Sequence, residues 1–239
     1  MNFNLQPSSD RPRRPSYAED ARVVSAGGNV RVLRNTYALL ALSMLPTVLG
    51  AWLGLATGLA GVFSGVAGAL LSFVAAMGLI FAIQAKRNSA AAVPLLLGFT
   101  FFMGLMLSRL IGMVLGLHGG AGLVMMAFAG TGTIFLGMAT LSTVIKRDLS
   151  AMGKWLFIGA ILLLVAGIAN FFIQSGALMI TLAVLAIGIF SAFILHDLKR
   201  VKDGHETNYI TATLGVYLSL YNVFQSLLML LGLGGGRDE

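Results

Sequence analysis

Along the chain, long apolar blocks alternate with short polar punctuation. The blocks cover residues 36–57, 60–84, 91–116, 121–144, 155–174, 177–196 and 208–232. Each is close to or above the ~20 residues a helix needs to cross roughly 30 Å of hydrocarbon at ~1.5 Å per residue. Helices are expected because lipid offers no partner to an open sheet edge, and the two-residue alternation of a membrane barrel is missing. The pattern predicts an all-α integral membrane protein with seven transmembrane helices. The connections, LATG, KRNS, HGGAG, KRDLSAMGK and QSGA, are short enough to join antiparallel neighbours. One bundle over residues 29–235 is therefore expected, followed by a short polar tail at 236–239. Residues 1–28 are rich in Pro, Ser, Arg and Gly and lack an apolar period, so they are expected to form a disordered tail. That Arg-rich start has no signal-peptide pattern, and no cleavable signal is expected.

Composition agrees with the block pattern. Of the 239 residues 57% are hydrophobic and 10% charged, with mean hydropathy +0.89, against roughly 25% charge in soluble domains. The chain has no cysteine, which removes disulfides, thiolate metal sites and thiol catalysis. No cofactor is expected. The net charge of +7 does not point to nucleic acid, because the basic residues follow the membrane topology. Arg11, Arg13, Arg14, Arg22, Arg31 and Arg34 precede or open the first span. Lys86 and Arg87, then Lys146, Arg147 and Lys154, then Lys199, Arg200 and Lys202 fall in alternate connections. That is fourteen of the sixteen Lys and Arg. The pattern predicts a cytoplasmic N-terminus by the positive-inside rule. Trp52 and Trp155 fall near span ends on opposite sides, where indoles tend to sit.

Arg109 is the one charge well inside a span. It lies eighteen residues past the start of its helix, roughly 27 Å along it. At that depth its guanidinium is expected to snorkel to the far interface. Asp197 ends the sixth block. The structural alternative for it is an exposed carboxylate beside Lys199, Arg200 and Lys202; the functional one is a half-buried group that gates a path by protonation.

The seventh block carries the clearest pattern. Asn208, Thr211, Gly215, Ser219, Asn222 and Ser226 step by three or four residues and form one narrow helical stripe. Thr213, Tyr217, Tyr221 and Gln225 lie on the far side, so this helix is expected to run through the middle of the bundle. Such a stripe serves either interhelical hydrogen bonding or the lining of a path. Gly50, Gly54, Gly58, Gly61 and Gly65 repeat at close spacing and read as helix-packing positions. Pro46 is expected to kink the first helix. GTGTIFLG lacks the strand and Lys of a phosphate-binding loop. His118, His196 and His205 are not at metal-ligand spacing, and no nucleophile and base set is apparent.

With these motifs placed, VLRNTYALLALSM at the first span, GIANFFIQ at the fifth and GHETNYITATLGVYLSLYNVFQSLLMLLG at the last resemble the Bax inhibitor-1 family, in its bacterial YccA-like branch. The resemblance covers about residues 30–235. It implies a seven-helix fold whose last helix is surrounded by the other six, in the bacterial inner membrane. It implies two activities: binding and restraining FtsH, the ATP-dependent protease of that membrane, or a pH-dependent leak of calcium or protons. In the family the leak rests on two carboxylates. Asp197 matches the first, and Ser219 stands where the second belongs, roughly 16 Å into the helix from Asn208. A carboxylate pair that shares a proton separates its two titrations; a carboxylate beside a hydroxyl cannot. The resemblance with Ser219 therefore favours the FtsH modulator. Asp197, Ser219 and Asn222 remain the candidate ion or proton site, and Lys86, Arg87 and Glu206 the candidate cytoplasmic gate or loop.

Overall fold

The computed structural model describes residues 17–59, 61 and 65–235, with side chains described from residue 28 to 234. Residues 1–16 and 236–239, on which much of the two tail expectations falls, lie outside that set. Among the described residues the protein is all helix: α1 (Tyr17–Thr57), α2 (Gly65–Lys86), α3 (Ala92–Leu115), α4 (Gly120–Val144), α5 (Ser150–Ile173), α6 (Gly176–Lys202) and α7 (Tyr209–Gly235). All seven contain a segment long and apolar enough to cross a bilayer, that of α1 being Gly28–Thr57.

The molecule is apolar outside as well as inside. Leu45, Trp52, Phe81, Phe128, Phe157 and Phe172 are exposed, which suits a solvent of lipid tails. Since lipid is as apolar as leucine, helix association depends on close fit and hydrogen bonds rather than on hydrophobic burial. α7 is the most buried span and packs against α1, α3, α4 and α6. α2 lies chiefly on α3 and α5 chiefly on α6. The expected central position of α7 is thus realised with four helices along its length, while α2 and α5 form the outer layer. Phe99, Leu96, Ile194, Leu214, Tyr217 and Val223 are fully or almost fully buried where these helices meet.

α1 and α3 make the tightest pairing. Gly50 and Gly54 of α1 and Gly104 of α3 leave no room for a side chain: a methyl at Gly50 would overlap the Phe101 carbonyl, one at Gly54 the Ser108 hydroxyl, and one at Gly104 the Thr47 carbonyl. The packing role expected of the glycine series holds there only. Gly58, Gly61 and Gly65 meet nothing within 4 Å; they belong to the α1–α2 connection, and Gly58 (φ 66°) and Gly65 (φ 70°) supply left-handed turns that other residues adopt poorly.

Several boundaries differ from the hydropathy reading. α1 begins at Tyr17, within the segment expected to be a disordered tail, α2 begins at Gly65, α5 begins at Ser150, and α6 runs on to Lys202. A helix need not end where the lipid ends. Lys199, Arg200 and Lys202 sit in the last turn, where cations oppose the helix dipole, and Lys199 Nζ bridges to Asp203 at 2.6 Å and 2.7 Å. Gly204 (φ 80°) then turns the chain. Asp197 is consequently inside α6, not at its end.

The basic connections meet at one end of the bundle. Asn29 Nδ2 donates to the Lys202 carbonyl at 3.3 Å, and Lys202 Nζ to the Thr143 carbonyl at 2.7 Å. Asn208 Nδ2 donates to the Arg87 carbonyl at 3.2 Å and to Asn88 Oδ1 at 2.8 Å. Trp52 and Trp155 are both highly exposed, on span ends at opposite faces.

The α1–α3 contact makes a direct prediction. Gly50→Ala and Gly104→Ala should each lower the thermal unfolding midpoint in mild detergent, in line with about 1–3 kcal/mol for overpacking. Gly78→Ala, in a helical position with nothing within 4 Å, should leave the midpoint unchanged or raised.

Candidate functional site

The polar stripe of α7 is built from its first residue. Asn208 caps the helix, its Oδ1 accepting from the Ile210 and Thr211 amides at 2.9 Å and 3.2 Å. Glu206 Oε1 accepts from the Asn208 amide at 2.9 Å, and its other oxygen lies 3.9 Å from Arg200 Nη2. Glu206 thus braces the α6–α7 turn. One turn into α7, Thr211 Oγ1 donates to Gln84 Oε1 of α2 at 3.2 Å.

Asp197 reaches the stripe at Gly215. A methyl on Gly215 would lie 2.7 Å from Asp197 Oδ2, so the absence of a side chain there lets the carboxylate lie against the α7 backbone. Asp197 and Ser219 are not joined by a hydrogen bond. The Ser219 hydroxyl donates to the Gly215 carbonyl at 3.0 Å, and Asn222 Nδ2 to the Leu218 carbonyl at 2.8 Å. The partner of Asp197 is its sequence neighbour: His196 Nδ1 lies 3.2 Å from Asp197 Oδ1, with side-chain exposures of 8% and 19%. The pair is therefore largely withdrawn from solvent.

On the far side of α7 the contacts tie helix to helix. Thr213 Oγ1 lies 2.7 Å from the Tyr209 carbonyl and 3.4 Å from the Thr36 carbonyl of α1. Tyr217, wholly buried, has its hydroxyl 2.9 Å from Thr47 Oγ1 of α1 and donates to the Thr100 carbonyl of α3 at 3.3 Å. Its ring meets Phe99 edge-on at 6.1 Å between centroids.

Beside Asp197 a cleft of about 710 Å³ opens between α5, α6 and the turns flanking them, lined among others by Asp148, Lys154, His196, Asp197, Arg200 and His205. Ser150 joins two of its walls: its hydroxyl donates to Asp148 Oδ1 at 2.6 Å and lies 3.3 Å from His205 Nδ1. The Ser150 amide also donates to Asp148 Oδ1, at 2.8 Å. These bonds, the hydroxyl's first, hold the Asp148 carboxyl below its ordinary value of 3.8. A depressed carboxyl pKa contributes stability above the ordinary value that is lost only as the pH falls through the lower folded one. Asp148 accordingly stays ionised across the neutral range.

Lys86 and Arg87 stand apart from this cleft. Both are exposed on the α2–α3 turn, and Arg87 takes part through its backbone carbonyl, as the acceptor for Asn208. Arg109 is exposed, as snorkelling requires. No group of three or more metal-ligating His, Asp or Glu occurs among the described residues. The sequence reading missed Asp148, Ser150 and the two cleft histidines as a cluster. The adjacent His196–Asp197 pair is visible in the sequence, whereas the contact of Ser150 with His205 joins residues 55 apart and leaves no local signal.

A seven-helix membrane bundle with a polar, buried last helix defines the class of protein. The chain belongs to the Bax inhibitor-1 family: the profile described as "Inhibitor of apoptosis-promoting Bax1" matches residues 29–236. Among its relatives, "Modulator of FtsH protease YccA" of Escherichia coli is 33% identical over 202 residues, which is 84% of this chain and 90% of that protein. A membrane protein of Vibrio cholerae is 33% identical over 87% of this chain and 92% of its own length. A protein of Neisseria meningitidis is 35% identical over the same shares. With seven apolar spans and a relative named as an inner membrane protein, the chain is a multi-pass protein of the bacterial inner membrane.

Because Tyr217 joins three helices, Tyr217→Phe should weaken the bundle by about 0.6–1.7 kcal/mol, the range of interhelical hydrogen bonds in membranes. Denaturant unfolding in mixed micelles checks this.

Proposed function

We propose that this protein binds and modulates the membrane protease FtsH, with the basic end of the bundle facing the cytoplasm. The observation that carries this reading is the 33% identity to the FtsH modulator YccA, which runs through the seven-helix body rather than one motif. Ser219 adds to it. A site that senses pH through two like charges needs a second carboxylate, and this position holds a hydroxyl bonded to its own helix. The partner surface is lipid-facing helix together with the cytoplasmic turns. Residues 1–28 supply a polar N-terminal handle that a processive protease can grip.

A second reading, a slow cation or proton leak, is favoured by one feature: Asp197, half-buried and beside His196, lines a cleft open at the basic end. In that reading Asp197, with Ser219 and Asn222 deeper along α7, forms the path. Of the candidate gate residues, Glu206 would act through the Arg200 that lines the cleft, while Lys86 and Arg87 lie outside it.

The two readings separate experimentally. Full-length protein and a form lacking residues 1–28, purified from native membranes, should both bring FtsH with them, the shortened form less. Recovery of no FtsH with either form overturns the modulator reading. In liposomes loaded with a calcium or pH dye, the modulator reading expects flux equal to that of empty vesicles at pH 6 and pH 8. A flux above that background that Asp197→Asn abolishes establishes the leak instead.

A further inference from the structure

The cleft at the basic end is not used by the FtsH reading, and its chemistry is specific. We propose that it holds the phosphoethanolamine headgroup of a bilayer phospholipid.

Its position is at headgroup height. The first two turns of the α5 span supply Gly153, Lys154 and Phe157 to the lining, and the exposed Trp155 stands between the last two. Tryptophan and lysine at a span end mark the level where tails give way to headgroups. Phe157, also exposed, and Phe193 give the cleft an apolar wall on the membrane side. Its volume of about 710 Å³ falls in the roughly 300–1,000 Å³ range of small-ligand sites.

The charges select the headgroup. Lys154 forms no ion pair among the described residues, and Arg200 has only the 3.9 Å approach of Glu206. Both are free to grip phosphate oxygens with charge-assisted hydrogen bonds. Asp148 and Asp197 line the same cleft, and Asp148 is kept ionised by Ser150. A purely anionic headgroup would meet two carboxylates as well as two cations. A zwitterion matches both signs, and a primary ammonium has N–H donors for the carboxylates that a trimethylammonium lacks.

The interior is built to hold these groups still. His196 is buried; Nδ1 faces Asp197, and a methyl on Gly153 would lie 2.6 Å from Nε2. The imidazole thus fixes the carboxylate on one side and rests on the first turn of α5 on the other. His196 also forms part of the cleft lining. His196 is a positioning residue here.

The test uses full-length protein in nanodiscs with equal phosphatidylethanolamine, phosphatidylglycerol and phosphatidylcholine, extracted into detergent and weighed by native mass spectrometry. The protein should retain phosphatidylethanolamine about tenfold over the other two, the ratio one charge-assisted bond supplies. Asp148→Asn should remove that preference over phosphatidylglycerol. Lys154→Gln combined with Arg200→Gln should cut retention of both lipids about tenfold. Lys154 and Arg200 are at the surface, so their replacement should leave the unfolding midpoint near the parent value, whereas Asp148→Asn, which gives up the charge that the Ser150 bonds stabilise, should lower it slightly. Lys154→Arg should retain the lipid and serves as the conservative control. Equal retention of the three lipids, a preference for phosphatidylglycerol, or variants that behave as the parent would overturn the proposal. Soluble phosphoethanolamine, which has no tails to lie on Phe157, should displace the lipid only in large excess; displacement at equimolar concentration would overturn the assignment to a bilayer lipid.

Discussion

A membrane interior gives no hydrogen bonds, and the arrangement of this bundle depends on that constraint at α7. A helix carrying Thr211, Thr213, Tyr217, Ser219, Asn222 and Ser226 is costly to expose to lipid, although Thr213, Ser219 and Asn222 also bond to their own backbone. α1, α3, α4 and α6 pack along it, and polar groups of its neighbours meet it. α1 offers Thr47 and the Thr36 carbonyl, α3 the Thr100 carbonyl, and α2 the end of Gln84. α6 brings Asp197 against Gly215. Each bond is worth little, roughly 0.6 kcal/mol. Their distribution over four neighbours fixes the rotation and depth of α7, which apolar packing against equally apolar lipid would leave poorly specified.

The same economy explains the glycines. Between α1 and α3, Gly50, Gly54 and Gly104 bring the two backbones into contact, and dispersion between closely fitted surfaces adds to what hydrogen bonds supply at α7. Tyr217 stands at the junction of both devices. Its hydroxyl bonds to Thr47 and Thr100 in the helix pair that the glycines hold together.

What the sequence disclosed followed from what is local. The number of spans, the α7 stripe, its central position and the separation of basic from neutral connections are each written in consecutive residues, through hydropathy and a 3.6-residue period. Helix ends were less legible. Hydropathy marks where lipid stops, whereas α6 continues through Lys202 on its own hydrogen bonds and the Lys199–Asp203 pair, so Asp197 lies within the helix. Long-range pairing was not legible at all. Gly104 is one of many glycines until Thr47 is known to lie over it. Asp148 and Lys154 come from one connection and His196, Asp197 and His205 from another, and only the folded chain shows that the two share a cleft.

The state of α7 beyond Asp197 bears on how the protein can act. From Gly215 towards the other end of the bundle, Val216, Tyr217, Val223 and Leu228 are exposed by 1% or less, and Ser219 by 4%. Ser219 and Asn222 direct hydrogen bonds to their own helix rather than into open space. For an ion to pass along this route, the closed core around Ser219 and Val223 would have to open, which means moving the helices packed on α7. Recognition by another membrane protein makes no such demand, because the lipid-facing sides of α2, α4 and α5 and the turns at the basic end are already exposed. The interior of the bundle thus reads as scaffold and its outer surface as the part free to meet a partner, with Asp197 and His196 at the boundary between the two.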